Sequence, residues 1–396
     1  MLLLLLACPP KKTPDSAGET GEPDDTAGEL GDHWLGMASV DDALAVHRGG
    51  AGDKLDRALQ TPGGLLLAAP QNAAGLGRVC MDTWDGTCWT GPAVGSYFGT
   101  GLAWVDGPVV SAFQDPANGQ WAGAVHVLDT DVVLVGEPGD NAGISLAASG
   151  GLLAVGAFGR DTVEADGGVV YLVSDLGQSG ELNDGDYVFG GDPGGQFGVA
   201  VAWGDLDADG APDLLVGASG ATGEALGTGA AFAFYGPVPP FARDLDADHA
   251  VRGLASQDQT GKTVAAGDQD GDGVDEWAIG SPGVGRVDVL VGTEVIATLN
   301  GDDEGRLGFS LVLQDIDGDG KADLVTGATR QGTGGEVLVA YGPLAGELSG
   351  ELTVVAEAEG DKFGIGVGAT DAGFWASASK VDENAGAVYL FGTTAR

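Results

Sequence analysis

Gly204-Asp205-Leu206-Asp207-Ala208-Asp209-Gly210-Ala211-Pro212-Asp213-Leu214-Leu215-Val216-Gly217-Ala218 reads as an acidic loop that runs directly into an apolar strand. Carboxylates stand on alternate positions, a glycine turns the chain, and a fourth carboxylate opens the strand. The same arrangement recurs at Asp268-Gln269-Asp270-Gly271-Asp272-Gly273-Val274-Asp275-Glu276 and at Asp315-Ile316-Asp317-Gly318-Asp319-Gly320-Lys321-Ala322-Asp323. Hard cations such as Ca2+ take about 6–8 oxygen ligands. Side chains at loop positions 1, 3 and 5 can converge on one point if the backbone curls around it. A backbone carbonyl at position 7 and a carboxylate at position 9 can close the shell. The expected ligands are therefore Asp205, Asp207, Asp209, the Ala211 carbonyl and Asp213; Asp268, Asp270, Asp272, the Val274 carbonyl and Glu276; and Asp315, Asp317, Asp319, the Lys321 carbonyl and Asp323. Asp275 is a substitute for Glu276 in the second loop.

These loops are not EF-hands, which need a glutamate at position 12 and flanking helices. Position 12 is Val216, Ile279 or Thr326, each inside a strand-like run. Three copies, each before an equivalent strand, argue for three Ca2+ sites. Asp244-Leu245-Asp246-Ala247-Asp248 shares the alternation but has His249 where the glycine should be. It reads as a solvated turn with no matching strand after it.

The chain has 396 residues, 73 of them glycine, with 43% hydrophobic residues and a net charge of −42. Glycine lacks a Gly-X-Y period, so collagen is excluded, and the apolar content can fill a core. Many short strands between glycine turns argue for an all-β sandwich, barrel or propeller. Seventeen Lys and Arg against 59 acids argue against a nucleic-acid partner, since phosphate contacts need cations. Anionic membrane surfaces are disfavoured for the same reason.

Met1 to Cys8 is a short apolar segment ending Leu5-Leu6-Ala7-Cys8. It resembles the lipobox of a bacterial lipoprotein signal, in which Cys8 would carry lipid, although no Lys or Arg precedes the leucines. A secreted, soluble chain is the alternative. Residues 9–40 are expected to form an acidic, disordered tether, and 41–396 the folded domain. Cys80 and Cys88 are spaced for a disulfide across a hairpin in an exported chain, with two free thiols as the alternative.

The folded part repeats with a period of about 43 to 63 residues. Seven units begin at Leu55-Asp56, Phe98-Gly99, Ala142-Gly143, Phe197-Gly198, Thr260-Gly261, Leu307-Gly308 and Phe363-Gly364. Each continues into an apolar strand ending in small residues, such as Leu214 to Ala218, and then a Gly-apolar strand. This pattern of Phe-Gly, acidic loop and Gly-Ala-Pro resembles the FG-GAP repeat of the integrin α-subunit β-propeller, over about residues 43–396. The resemblance implies a seven-bladed propeller with calcium in a mainly structural role on one rim. The last unit ends after its third strand, so a strand near Ala43-Leu44-Ala45-Val46-His47 is expected to complete the seventh blade and close the ring.

No Gly-x-Ser-x-Gly or His-Glu-x-x-His motif occurs, and the four histidines are scattered. His126, between valines, reads as a packed residue. The sequence therefore favours a non-catalytic surface or secreted module that binds a protein or glycan ligand. Loops opposite the acidic rim are the candidates for recognition: Asn118–Trp121, Arg160–Glu164, Gly223–Leu226 and Lys380–Glu383. A scaffold subunit of an envelope complex is the runner-up, and a carbohydrate-active enzyme comes third.

Overall fold

The computed structural model describes residues 35–161, 167–190, 192–222, 227–302, 305–332, 334–356 and 358–392. The lipobox with Cys8, residues 9–34 of the tether, and the loop segments 162–164 and 223–226 lie outside the described residues.

The folded unit comprises seven antiparallel sheets, one per sequence unit, with strands in order from the innermost outward. Blade 4 is representative: Phe197–Gly204, Asp213–Ala218, Ala230–Phe234 and His249–Arg252. Blade 7 takes its outer strand from the N-terminal side. Ala45–Arg48 pairs antiparallel with Ala387–Leu390, as the repeat count predicted, and removes two exposed sheet edges. Gly36–Ser39 adds a further strand parallel to Leu352–Val355 of blade 6, inside the stretch whose composition reads as tether. The chain is thus on the propeller from at least Gly36. Similar short segments, Gly180–Glu181 and Gly346–Leu348, run from later blades onto the outer strands of blades 2 and 5.

Two features lock the blades together. Where a unit opens with Phe-Gly (Phe98, Phe197 and Phe363) the aromatic is buried; Phe197 packs on Phe232 and Phe234 of its own blade and on Ala154 and Val170 of the preceding one. Burying such a side chain stabilises by roughly 1.5–3 kcal/mol. The second lock is backbone contact. Gly217, the glycine of Gly-Ala in blade 4, faces the next blade so closely that a Cβ there would lie 2.0 Å from the Gly261 carbonyl oxygen. Gly156, Gly280 and Gly327 meet Gly198, Gly308 and Gly364 in the same way.

A hydroxyl accompanies that contact in most blades. Ser145, Thr263 and Ser310, on innermost strands, donate at 2.8 Å to the carbonyls of Gly198, Gly308 and Gly364. In blades 2 and 7 the second strand carries the hydroxyl instead. Ser111 donates to the Gly143 carbonyl at 2.5 Å, and Ser377 to the Asp56 carbonyl at 2.6 Å. There the neighbouring first-strand residues are glycines, Gly101 and Gly366. One latch is therefore built from either of two adjacent strands.

Candidate metal centres

The three acidic loops join the first and second strands of blades 4, 5 and 6 on one rim. In each, the carboxylates at positions 1, 3 and 9 bring ligand oxygens within 4.8 Å of one another: Asp205, Asp207 and Asp213; Asp268, Asp270 and Glu276; Asp315, Asp317 and Asp323. Folding places them there by a repeated set of backbone bonds. The position-1 carboxylate reaches across the turn to accept the glycine N–H at position 6, at 3.1 Å for Asp205 and Gly210 and 2.8 Å for Asp268 and Gly273. That glycine has a positive φ, +82° at Gly210, which keeps the turn tight without a side chain. The position-9 carboxylate, anchored at the start of a fully buried strand, accepts the N–H at position 2: Leu206 to Asp213 at 2.6 Å and Ile316 to Asp323 at 3.0 Å. Its other oxygen accepts Gly236 N–H in blade 4 and Gly342 N–H in blade 6.

The remaining expected ligands are placed differently. Asp209, Asp272 and Asp319, at position 5, lie outside the three groups. Each accepts the N–H at position 7, from Ala211, Val274 and Lys321, at 2.7, 2.9 and 2.8 Å. Asp275 is committed to a role that the sequence does not reveal. Its carboxylate accepts Asp205 N–H and its own N–H donates to the Asp205 carbonyl, both at 2.9 Å. Ala322 N–H donates in the same manner to the Asp268 carbonyl at 2.7 Å. The three loops are therefore joined end to end along the rim. Only the regular spacing of the units hinted at this, because the partners lie 70 residues apart.

The donor sets suit a hard cation: every grouped ligand atom is a carboxylate oxygen. Asp205 Oδ1 is buried and has no hydrogen-bond partner, the condition expected of an oxygen aimed at a metal. Burial, reinforced by Asp317 and Asp319 alongside, pushes Asp323 up to about 7; Asp213 and Glu276 are raised for the same reasons. A bound cation would relieve that repulsion.

Other singled-out residues resolve as follows. Cys80 and Cys88 form a disulfide between paired strands of blade 1. His126 lies 3.3 Å from the buried Asp115 carboxylate and edge-on to Phe98. Trp121 is 52% exposed. Arg160 is not a free recognition residue; it is tied to Glu137 and Asp140. The Asp244–Asp248 stretch differs from its expected reading. A short 3-10 turn at Asp244–Asp246 leads into the strand His249–Arg252, and Asp244 is buried. Its acids cap the entry to an outer strand.

The FG-GAP repeat family matches residues 197–234 and 307–339, which are most of the first three strands of blades 4 and 6. With seven blades in the ring, the chain is an FG-GAP-bearing β-propeller. Phosphatidylinositol-glycan-specific phospholipase D from Homo sapiens is 29% identical over 166 residues, covering 36% of this chain and 20% of the relative. The Rattus norvegicus protein is 31% identical over 156 residues, covering 34% and 18%. The match thus spans about a fifth of those relatives' length. Among solved structures, BBS1N in a complex with ARL6DN superposes with a TM-score of 0.54 at 9% identity, over 91% of this chain and 98% of that one. That likeness concerns the fold. No helix among the described residues is long and apolar enough to cross a membrane.

Proposed function

We propose that this chain is a calcium-stabilised, non-catalytic propeller that binds a protein or glycan ligand outside the cell. The observation that carries the reading is the row of three equivalent carboxylate groups on consecutive blades, linked loop to loop. Asp205, Asp207 and Asp213, with their counterparts, would hold Ca2+, which supplies charge neutralisation and cross-links each loop to its strand. Most of these carboxylates already accept backbone N–H groups. They are fixed as ligands rather than left free as acids or bases, which supports stiffening over chemistry. The phospholipase named among the relatives shares only a fifth of its length with this chain, so its activity is not carried over. Export, with or without lipid on Cys8, completes the reading, because FG-GAP repeats are common in extracellular proteins.

The test is a thermal melt of the full chain in millimolar calcium and in chelator, beside a variant carrying Asp207→Ala, Asp270→Ala and Asp317→Ala. At tenfold over a dissociation constant of about 10⁻⁴ M, three sites together add about 4 kcal/mol by mass action. The variant should lose most of that rise. Equal melting in calcium and chelator, with no metal found by elemental analysis, would reduce the loops to acidic turns. Saturable binding to immobilised glycans or matrix proteins would support the adhesion arm; a single co-purifying envelope protein would favour a scaffold subunit.

A further inference from the structure

The cations of this acidic chain are unevenly placed. The innermost strands of all seven blades line a central channel. The half of that channel away from the acidic loops encloses about 370 Å³. Arg57 and Lys262 project into its wall, and no Asp or Glu does so. Three residues before Phe309, Ile365 and Arg57 of that wall, immediately ahead of the first residue of blades 6, 7 and 1, stand Arg306, Lys362 and Lys54; Arg306 is near enough to act on Lys262, and Arg306 and Lys54 on Lys362. The loops after the second strands of blades 6 and 7 add Arg330 and Lys380, whose N–H groups bond to Gly305 and Asp361 beside Arg306 and Lys362.

Seven of the chain's 17 Lys and Arg thus form one arc over blades 5, 6, 7 and 1. Among the described residues, Lys54, Lys262, Arg306, Arg330, Lys362 and Lys380 make no ion pair, and Arg57 has only the Asp56 carboxylate at 3.9 Å. Of the nearby acids, Asp361 accepts Ala358 N–H and Asp258 accepts Leu254 and Ala255 N–H, while Asp56 faces Arg57 and Lys54. Unpaired cations in a chain with 59 acids mark a place that attracts anions. Burial, then Arg57 and Arg306, lowers the Lys262 pKa, so its charge is held at a cost that an anion would relieve.

Arg57 and Lys262 share their repeat position with Ile144, Val199, Phe309 and Ile365, and two residues further along the strands Leu102, Leu146, Leu311 and Val367 continue the lining as an apolar wall, half-buried. The opposite half carries Asp315, Asp317 and Asp371 and would repel an anion. We propose that the basic mouth binds a small amphipathic anion, with its acidic head on the Lys and Arg arc and its apolar tail in the shaft. The volume lies at the small end of ligand pockets, which suits a short tail. This extends the binding-module reading by naming a ligand class, and it uses no residue of the calcium rim.

Isothermal calorimetry of the full chain with sodium octanoate tests it. Saturable one-to-one binding is expected. Hexanoate should bind about 15-fold more weakly, at about fourfold per buried methylene. Octanol should bind at least tenfold more weakly than octanoate. Added salt should weaken octanoate binding. The variant Lys262→Gln with Arg306→Gln should lose at least tenfold, and Ile144→Glu should abolish binding, whereas Arg286→Gln should bind as wild type. Equal affinity for hexanoate and octanoate, unchanged binding in the double variant, or non-saturating heat would overturn the proposal. If a variant fails to fold, the chain-length and octanol series on the wild type decides. The calcium melt is independent of all these outcomes.

Discussion

Replacing Ser111 by alanine removes one oxygen from the contact between blades 2 and 3. Ser111 is fully buried, accepts Gly101 N–H at 2.7 Å and donates to the Gly143 carbonyl at 2.5 Å. Both backbone groups lose their partner at a fully buried position. An unsatisfied buried donor or acceptor costs roughly 1–3 kcal/mol, so the pair should cost about 3 kcal/mol. Ser310→Ala is the internal comparison. Its hydroxyl serves only the Gly364 carbonyl, at a less buried site, so its loss should be nearer 1 kcal/mol. Both variants keep the Cβ, so cavity terms stay small. Urea unfolding of the two variants and the wild type, with unchanged slope, measures the difference. A melting shift of several degrees for Ser111→Ala should accompany it. A loss below about 0.5 kcal/mol for Ser111→Ala, or equal losses for the two, would refute the latch as an energetic element.

Three further outcomes follow from the packing. Asp56 is raised from 3.8 to about 6 by burial, against the pull of Arg57 and Lys54. The folded state therefore holds its proton more tightly than the unfolded state, and stability falls as pH rises from about 4 to 6. Asp56→Asn should be more stable than wild type at pH 7 by up to roughly 3 kcal/mol, with the gap closing by pH 4 in denaturant titrations at each pH. Reducing the Cys80–Cys88 bond, which closes a short loop, should lower stability by about 2–3 kcal/mol, read as the change in urea midpoint with and without reductant. Gly229→Ala should be severely destabilising or fail to fold, because the residue has φ +78° and its new Cβ would lie 2.2 Å from the Thr260 carbonyl oxygen; circular dichroism melts would register this, and a wild-type melt would contradict it.

Much of this architecture is legible in the sequence because the repeat unit is local. Phe-Gly, the acidic loop and Gly-Ala fall within about 25 residues, so their spacing alone gives the blades, the ring count and the placement of positions 1, 3 and 9. Pairings made across blades are not legible in that way. Asp275 looks like a spare ligand until it is seen holding Asp205 of the preceding blade. The strands Gly36–Ser39, Gly180–Glu181 and Gly346–Leu348 lack apolar alternation because they lie at the outer edge, where hydrogen bonding rather than burial holds them. The basic arc is not legible for a further reason: its members are far apart in the chain, and the net charge of −42 hides them.

Blade 5 shows which parts of the repeat the fold requires. The family match covers blades 4 and 6 but not blade 5, which begins Thr260-Gly261 and ends its second strand Gly280-Ser281-Pro282. Yet Gly280 meets Gly308 as Gly217 meets Gly261, and Thr263 latches onto the Gly308 carbonyl as Ser310 latches onto Gly364. Its acidic loop is bonded to both neighbouring loops. The aromatic is therefore replaceable where a buried Thr260 can bond Ser281 instead, at 3.0 Å. The first-strand glycine is more constant: Gly99, Gly143, Gly198, Gly261, Gly308 and Gly364 all have positive φ, where a Cβ is strained, whereas the second-strand position facing it is Ser111 in blade 2 and Ser377 in blade 7. The ring depends on the backbone carbonyl beside the first-strand glycine, met by a glycine or latched by a hydroxyl, more than on the aromatic, which is why units with weak family resemblance still close it.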